Sequence, residues 1–171
     1  MELFDLAHTC CFTGHRPEKL SIYEGVARAW LEARIDEAVT DGYTTFITGC
    51  AKGADLWAGD IVLKRRAENP DIRLIAASPW PDCYRSWDDR WKEEYFRVVW
   101  QSDQVDYMGE HYFRGIYEVR NRWMADRSGR VIALYTGAPG GTKRTVDYAR
   151  KLGREVILYP YRSEESTLPL R

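Results

Sequence analysis

The sequence lacks most of the features that would commit it early to a function class. Its four cysteines, Cys10, Cys11, Cys50 and Cys83, form no Cys-x-x-Cys pair and have no histidine at zinc-ligand spacing, which argues against a metal site or a disulfide framework. No basic segment followed by an apolar run opens the chain, and no stretch approaches the roughly 20 apolar residues that a membrane helix needs. The expectation is a cytoplasmic protein with no membrane partner. Charge of one sign is missing as well, since 25 basic residues face 26 acidic ones for a formal net charge of -1. With no global field to draw in a polyanion, a nucleic-acid partner is left open but not favoured. Neither the Gly-Lys-Ser/Thr of a Walker loop nor a Gly-x-Gly-x-x-Gly turn occurs, which disfavours an ordinary NTPase or dehydrogenase.

What is present is enough chain for a core and a clear alternation of patterns. At 171 residues and 44% hydrophobic, the expectation is a single domain over 1–171 with a loosely held tail at 163–171. Short β-rich runs at 8–13, 44–48, 72–77, 104–108, 131–135 and 155–159 alternate with helical segments at 24–41, 54–68, 88–101, 115–127 and 142–152. That order predicts a three-layer, Rossmann-like α/β fold, doubly wound, with a mainly parallel sheet and helices on both faces. In the first helix, Val26, Trp30, Ile35, Ala38 and Val39 make up the expected apolar stripe. The spacing of Trp87, Trp91 and Tyr95 predicts three rings on one helical face, read as core or as contact with a second copy, so a homo-oligomer stays open. A base-stacking role for Tyr84 or Trp87 is the lesser reading.

Three glycine-bearing turns follow predicted strands. Phe12-Thr13-Gly14-His15-Arg16-Pro17 lets backbone amides approach an anion at Gly14, with Arg16 able to add a charge-assisted bond. A tight turn with solvated side chains explains this hexapeptide equally well. In Ile47-Thr48-Gly49-Cys50-Ala51-Lys52-Gly53-Ala54-Asp55 a strand passes through small residues straight into a helix, whose first amides favour an anion. Asp55 either caps those amides or accepts from a sugar hydroxyl, capping being the commoner use of an acid in a first turn. Tyr135-Thr136-Gly137-Ala138-Pro139-Gly140-Gly141-Thr142 does the same at the last long helix. Turns at the carboxyl ends of separate parallel strands share one crevice. Arg120-Asn121-Arg122, on the preceding helix, can direct a guanidinium or amide group into it, although consecutive helix positions diverge. Nineteen of the 25 basic residues are arginine, a bias that suits bidentate phosphate recognition and that a GC-rich coding sequence would also produce.

Taken together, Phe12 to Pro17, Ile47 to Asp55, Arg120 to Asp126 and Val131 to Ala149 resemble the SLOG superfamily, the fold shared by DNA-processing-A proteins and the Lonely Guy phosphoribohydrolases, nearest its YpsA-like branch. The resemblance implies a nucleotide-type pocket, with Gly14, His15, Arg16, Gly49, Ala51, Gly53, Asp55, Arg120, Asn121, Gly140, Gly141 and Thr142 as ligand-binding residues. It also implies three functions. The first is a binding module, a sensor or accessory protein for a nucleotide or ADP-ribose-like ligand, with no cofactor required. The second is an N-glycosidase of nucleoside monophosphates, in which Arg120 occupies the family's catalytic arginine position. The third is a DNA-processing-A-like binder of single-stranded DNA. In the hydrolases a glutamate follows the last glycine turn; its place falls here at about Thr145, and a hydroxyl cannot do the work of that carboxylate. Asp147 lies about 200° around the helix from Thr145 and does not replace it. Binding is therefore favoured over hydrolysis.

Overall fold

The strand sequences Thr-Cys-Cys-Phe-Thr-Gly and Arg-Val-Ile-Ala-Leu are buried along almost their whole length, as parallel strands covered on both faces must be. The computed structural model describes residues 4–161, so the expected tail at 163–171 lies outside the described residues. In chain order the elements are β1 (Thr9–Gly14), α1 (Glu24–Thr40), β2 (Thr45–Thr48), α2 (Ala54–Glu68), β3 (Arg73–Ser78), α3 (Asp89–Gln101), β4 (Gln104–Tyr107), α4 (Ile116–Asp126), β5 (Arg130–Leu134), α5 (Gly141–Lys151) and β6 (Glu155–Leu158). The strands form one sheet in the order β4-β3-β2-β1-β5-β6, and every neighbouring pair is parallel. This is the expected Rossmann-like fold, with the sheet parallel throughout.

Crossover handedness accounts for the layers. From β1 to β4 the chain steps outward in one direction, so right-handed connections place α1, α2 and α3 on one face. It then returns past β1 to β5 and steps outward the other way, which puts α4 and α5 on the opposite face. Side chains alternate accordingly: Cys10, Phe12, Phe46 and Leu74 join the cluster that contains Leu31, Leu56 and Tyr95. Cys11, Ile47, Ile75 and Val131 join Met124 and Ala149 on the other face.

Three local expectations shift. β1 starts at Thr9 because Leu6–His8 forms a 3-10 turn capped by the Asp5 side chain. In α1 the buried positions are Ala27, Leu31, Ile35 and Ala38, whereas Val26, Trp30 and Val39 are only half-buried. Trp87 lies outside α3, since it precedes the helix's capping residue Asp88, although its ring still packs edge-on against Tyr95. Trp91 and Tyr95 do lie in the core, and Tyr84 packs on Tyr95 and Phe96.

Candidate functional site

The strand order reverses between β1 and β5, and in open α/β sheets the crevice beyond the strand ends at such a reversal is where ligands bind. Here β1 ends at Gly14, in register with Leu134. A Cβ on Gly14 would lie 2.6 Å from that of Ala54, so only glycine lets the first residue of α2 sit against the end of β1. The next residue, His15, is buried, and its Nε2 lies 3.1 Å from Thr136 Oγ1. Thr136 Oγ1 in turn accepts the Ala138 amide at 3.2 Å, which ties the turn after β1 to the turn after β5. Burial, aided by nearby Lys19, lowers the His15 pKa, so the ring is neutral at neutral pH.

The turn before α2 is locked from within. Thr48 Oγ1 donates to the Asp55 carbonyl at 2.7 Å and accepts the Cys50 amide at 3.3 Å. Cys50 takes a left-handed φ of 62°, uncommon for a residue with a side chain. Gly53, the N-cap of α2, has φ 93° and ψ -127°. Asp55 Oδ2 accepts the Ala51 amide at 3.2 Å. Burial pushes the Asp55 carboxyl up to about 6 against the pull of Arg120 and that amide. The Cys50 thiol is likewise held well above its ordinary range by burial, so it stays protonated and is no nucleophile.

The turn before α5 is built differently. Its N-cap Gly140 has φ 142° and ψ -165°, a conformation left almost entirely to glycine. No side chain caps the helix and its first turn holds no acid, so the first amides point outward without partners from their own turn.

Between these turns lies a cavity of about 270 Å³. Ten of the twelve expected site residues line it. Gly49 and Gly53 do not; they lie behind its wall. A Cβ on Gly49 would come within 2.7 Å of Asp55 Oδ2 and 2.9 Å of Arg120 Cδ, and one on Gly53 within 3.0 Å of Pro17. Their role is close packing rather than contact. Arg120 and Asn121 both reach the cavity, because the Arg120 guanidinium donates to the Gly49 carbonyl and, through Nε, to Asn121 Oδ1 at 2.9 Å. Arg122 points elsewhere and pairs with Glu118.

The sequence reading missed Lys19, Lys52, Tyr117 and Arg144, which also line the cavity. Two of them lay in plain view: Lys52 within the second turn and Arg144 two residues beyond Thr142. Trp87, whose ring lies 5.4 Å from Lys52 Nζ, reaches the cavity from the loop before α3. With Arg16 and Arg120, the cavity has, among the described residues, five basic residues and one acid, Asp55. Thr145 is buried, donates to the Gly141 carbonyl at 2.9 Å and lines a smaller neighbouring hollow instead. Asp147 is exposed and pairs with Lys143. Among the described residues no cluster of His, Cys, Asp and Glu could hold a metal ion, and no helix is long and apolar enough to cross a membrane.

Fold and site together define a class: an all-parallel, Rossmann-like protein with a cationic cavity where the strand order reverses. A model of the YspA SLOG family matches residues 10–157, and the chain belongs to that family. It is 26% identical over 150 residues to a UPF0398 protein of Bacillus cereus (strain G9842), and 26% identical over 151 residues to one of Bacillus thuringiensis (strain Al Hakam), covering 82% of each chain in both cases. Among solved structures it resembles DNA processing protein A from Helicobacter pylori, described by its single-stranded DNA binding mode, with TM-score 0.67, 17% identity, and 92% of this chain and 67% of that one covered. It also resembles DNA processing protein A from Streptococcus pneumoniae, with TM-score 0.65, 18% identity, and 95% of this chain and 54% of that one covered. At these identities the likeness is one of fold.

Proposed function

We propose that the protein binds a nucleotide-type ligand, a nucleotide or an ADP-ribose-like molecule, in this cavity and acts as a sensor or accessory module. The observation that carries the reading is the convergence of five basic side chains and an uncapped helix start on a cavity with a single acid among the described residues. The phosphate belongs on the Gly140–Gly141–Thr142 turn, where amides, the helix dipole and Arg144 all favour an anion. A thermal-shift panel of nucleoside mono- and diphosphates, dinucleotides and ADP-ribose tests this. At least one should give a saturable shift, and Gly141→Glu should remove it. A Cβ at Gly141 meets nothing closer than Asn121 Nδ2 at 3.9 Å, so the turn has room for a Cβ there and the substitution brings a negative charge to it. No shift across the panel would sink the proposal.

A second reading, single-stranded DNA binding, is favoured by the fold shared with the Helicobacter pylori protein and by the exposed Tyr112 and Tyr117 packed around Trp80 beside the cavity. A gel shift with single-stranded DNA that weakens with salt would support it. N-glycosidic hydrolysis has less support: at the position of the family's glutamate stands Thr145, and the cavity's one carboxylate is Asp55.

A further inference from the structure

A carboxylate inside a cationic, anion-seeking cavity needs a reason to be there. Asp55 is 5% exposed, sits in the first turn of α2 and lines the cavity. Its Oδ2 is occupied by the Ala51 amide. Its Oδ1 has no hydrogen-bond partner among the described residues, and the carboxylate forms no ion pair there. Arg120, the nearest compensating charge, spends its bonds on the Gly49 carbonyl and on Asn121. The start of α2 has no side-chain cap, so the loop amide of Ala51 accounts for one oxygen and leaves the other open.

Holding that amide alone would not call for a charge, because an asparagine side-chain oxygen accepts a backbone N–H without burying one. A buried carboxylate is costly unless both oxygens find donors. The missing partner cannot be the phosphate, since two anions at contact distance repel. A donor elsewhere on the same ligand fits it. A phosphorylated nucleoside offers base N–H groups and sugar hydroxyls. The sugar is bonded directly to the phosphate, and a carboxylate near a phosphate-binding helix start is the group that takes a ribose hydroxyl at dinucleotide sites. The flat base has aromatic neighbours to choose instead, Trp87 and Tyr117 in the cavity wall.

We propose that Asp55 Oδ1 accepts a ribose hydroxyl of the ligand, so that the cavity selects ribonucleotides over their dideoxy counterparts and over DNA. This rests on the nucleotide reading above. It gives the ligand a direction, with phosphate on the α5 turn and sugar on the α2 turn, and it assigns opposite duties to two turns that look alike in sequence.

Calorimetric titration of the whole protein with the common ribonucleoside mono- and diphosphates and their 2′,3′-dideoxy counterparts tests it. For any ribonucleotide that binds, loss of the hydroxyls should weaken binding by roughly ten-fold or more, as for a bond to a charged acceptor. In Asp55→Ala that ratio should fall to about one. Asp55→Asn, which keeps an oxygen for the Ala51 amide, serves as a second variant and should reduce the ratio. Purine riboside 5′-monophosphate, which lacks the exocyclic amine, should bind as AMP does. Equal binding of ribo- and dideoxynucleotides, a ratio unchanged in both Asp55 variants, or a loss on removing the amine alone would each overturn this inference and leave the nucleotide reading standing. No binding by any ribonucleotide would overturn that reading, and the inference with it.

Discussion

The turn before α2 and the turn before α5 are both glycine-rich strand-to-helix passages, yet they are opposite in construction. The first is closed: Thr48 bonds its backbone on both sides of the loop, Asp55 occupies the Ala51 amide, and Gly49 sits hard against Asp55 and Arg120. Neither helix start has a side-chain cap, but the second turn is open, with Gly137 to Pro139 exposed, no acid in the helix's first turn, and space around Gly141. An anion is drawn to amides that have no other partner. Glycine count alone therefore does not identify a phosphate site; what matters is whether the turn has already satisfied its own donors.

The sharpest way to break this comparison is to change pH. Burial on folding raises the Asp55 carboxyl from its ordinary 3.8 to about 6, so the folded state holds this proton more tightly than the unfolded one. The stabilisation is complete below the unfolded pKa and is lost as pH rises through the folded one. Asp55→Asn should therefore gain stability relative to the parent as pH rises from about 4 to about 6, by up to about 3 kcal/mol, and then level off. Chemical denaturation at a series of pH values measures the difference, and a flat difference would show that Asp55 is not a strained carboxylate. Next in size, Gly49→Ala should cost about 1–3 kcal/mol through overpacking against Asp55 and Arg120, whereas Gly141→Ala should leave stability nearly unchanged. Equal losses in the two variants would erase the distinction between a closed turn and an open one. Smallest is Asp147→Ala, which removes an exposed i,i+4 pair with Lys143. It should cost no more than about 0.5 kcal/mol and leave ligand shifts as they were; a lost shift would place Asp147 in the site after all.

Much of the fold was legible because its signals are local. The β-rich runs, helical periods and glycine stops placed each strand and helix close to its observed bounds, and α2 coincides with its expected range at Ala54–Glu68. Errors arose where neighbours decide. Ala27 and Leu31 displace Val26 and Trp30 in the α1 interface because of how α1 lies on the sheet and on α2. Trp87 left the α3 stripe because Asp88 caps the helix one residue after it.

The site divides in the same way. From residues alone, the three turns and the Arg120–Asn121 pair could be marked as material for an anion pocket, since backbone freedom at glycine and charge at arginine are properties of the residue type. Which amides stay free is a different matter. Asp55 meets Ala51, Arg120 meets Gly49 across 71 positions of chain, and Gly49 and Gly53 fall behind the wall they were expected to form. These follow from the strand order, which sets α4 and α5 beside the end of β1 and lets the α2 turn be filled by its own neighbours while the α5 turn remains open. Sequence by itself determined that glycine turns would cluster at one end of a parallel sheet; only the tertiary structure decided that one of them is filled by its own neighbours and the other left open, because hydrogen-bond satisfaction depends on partners that lie far away along the chain.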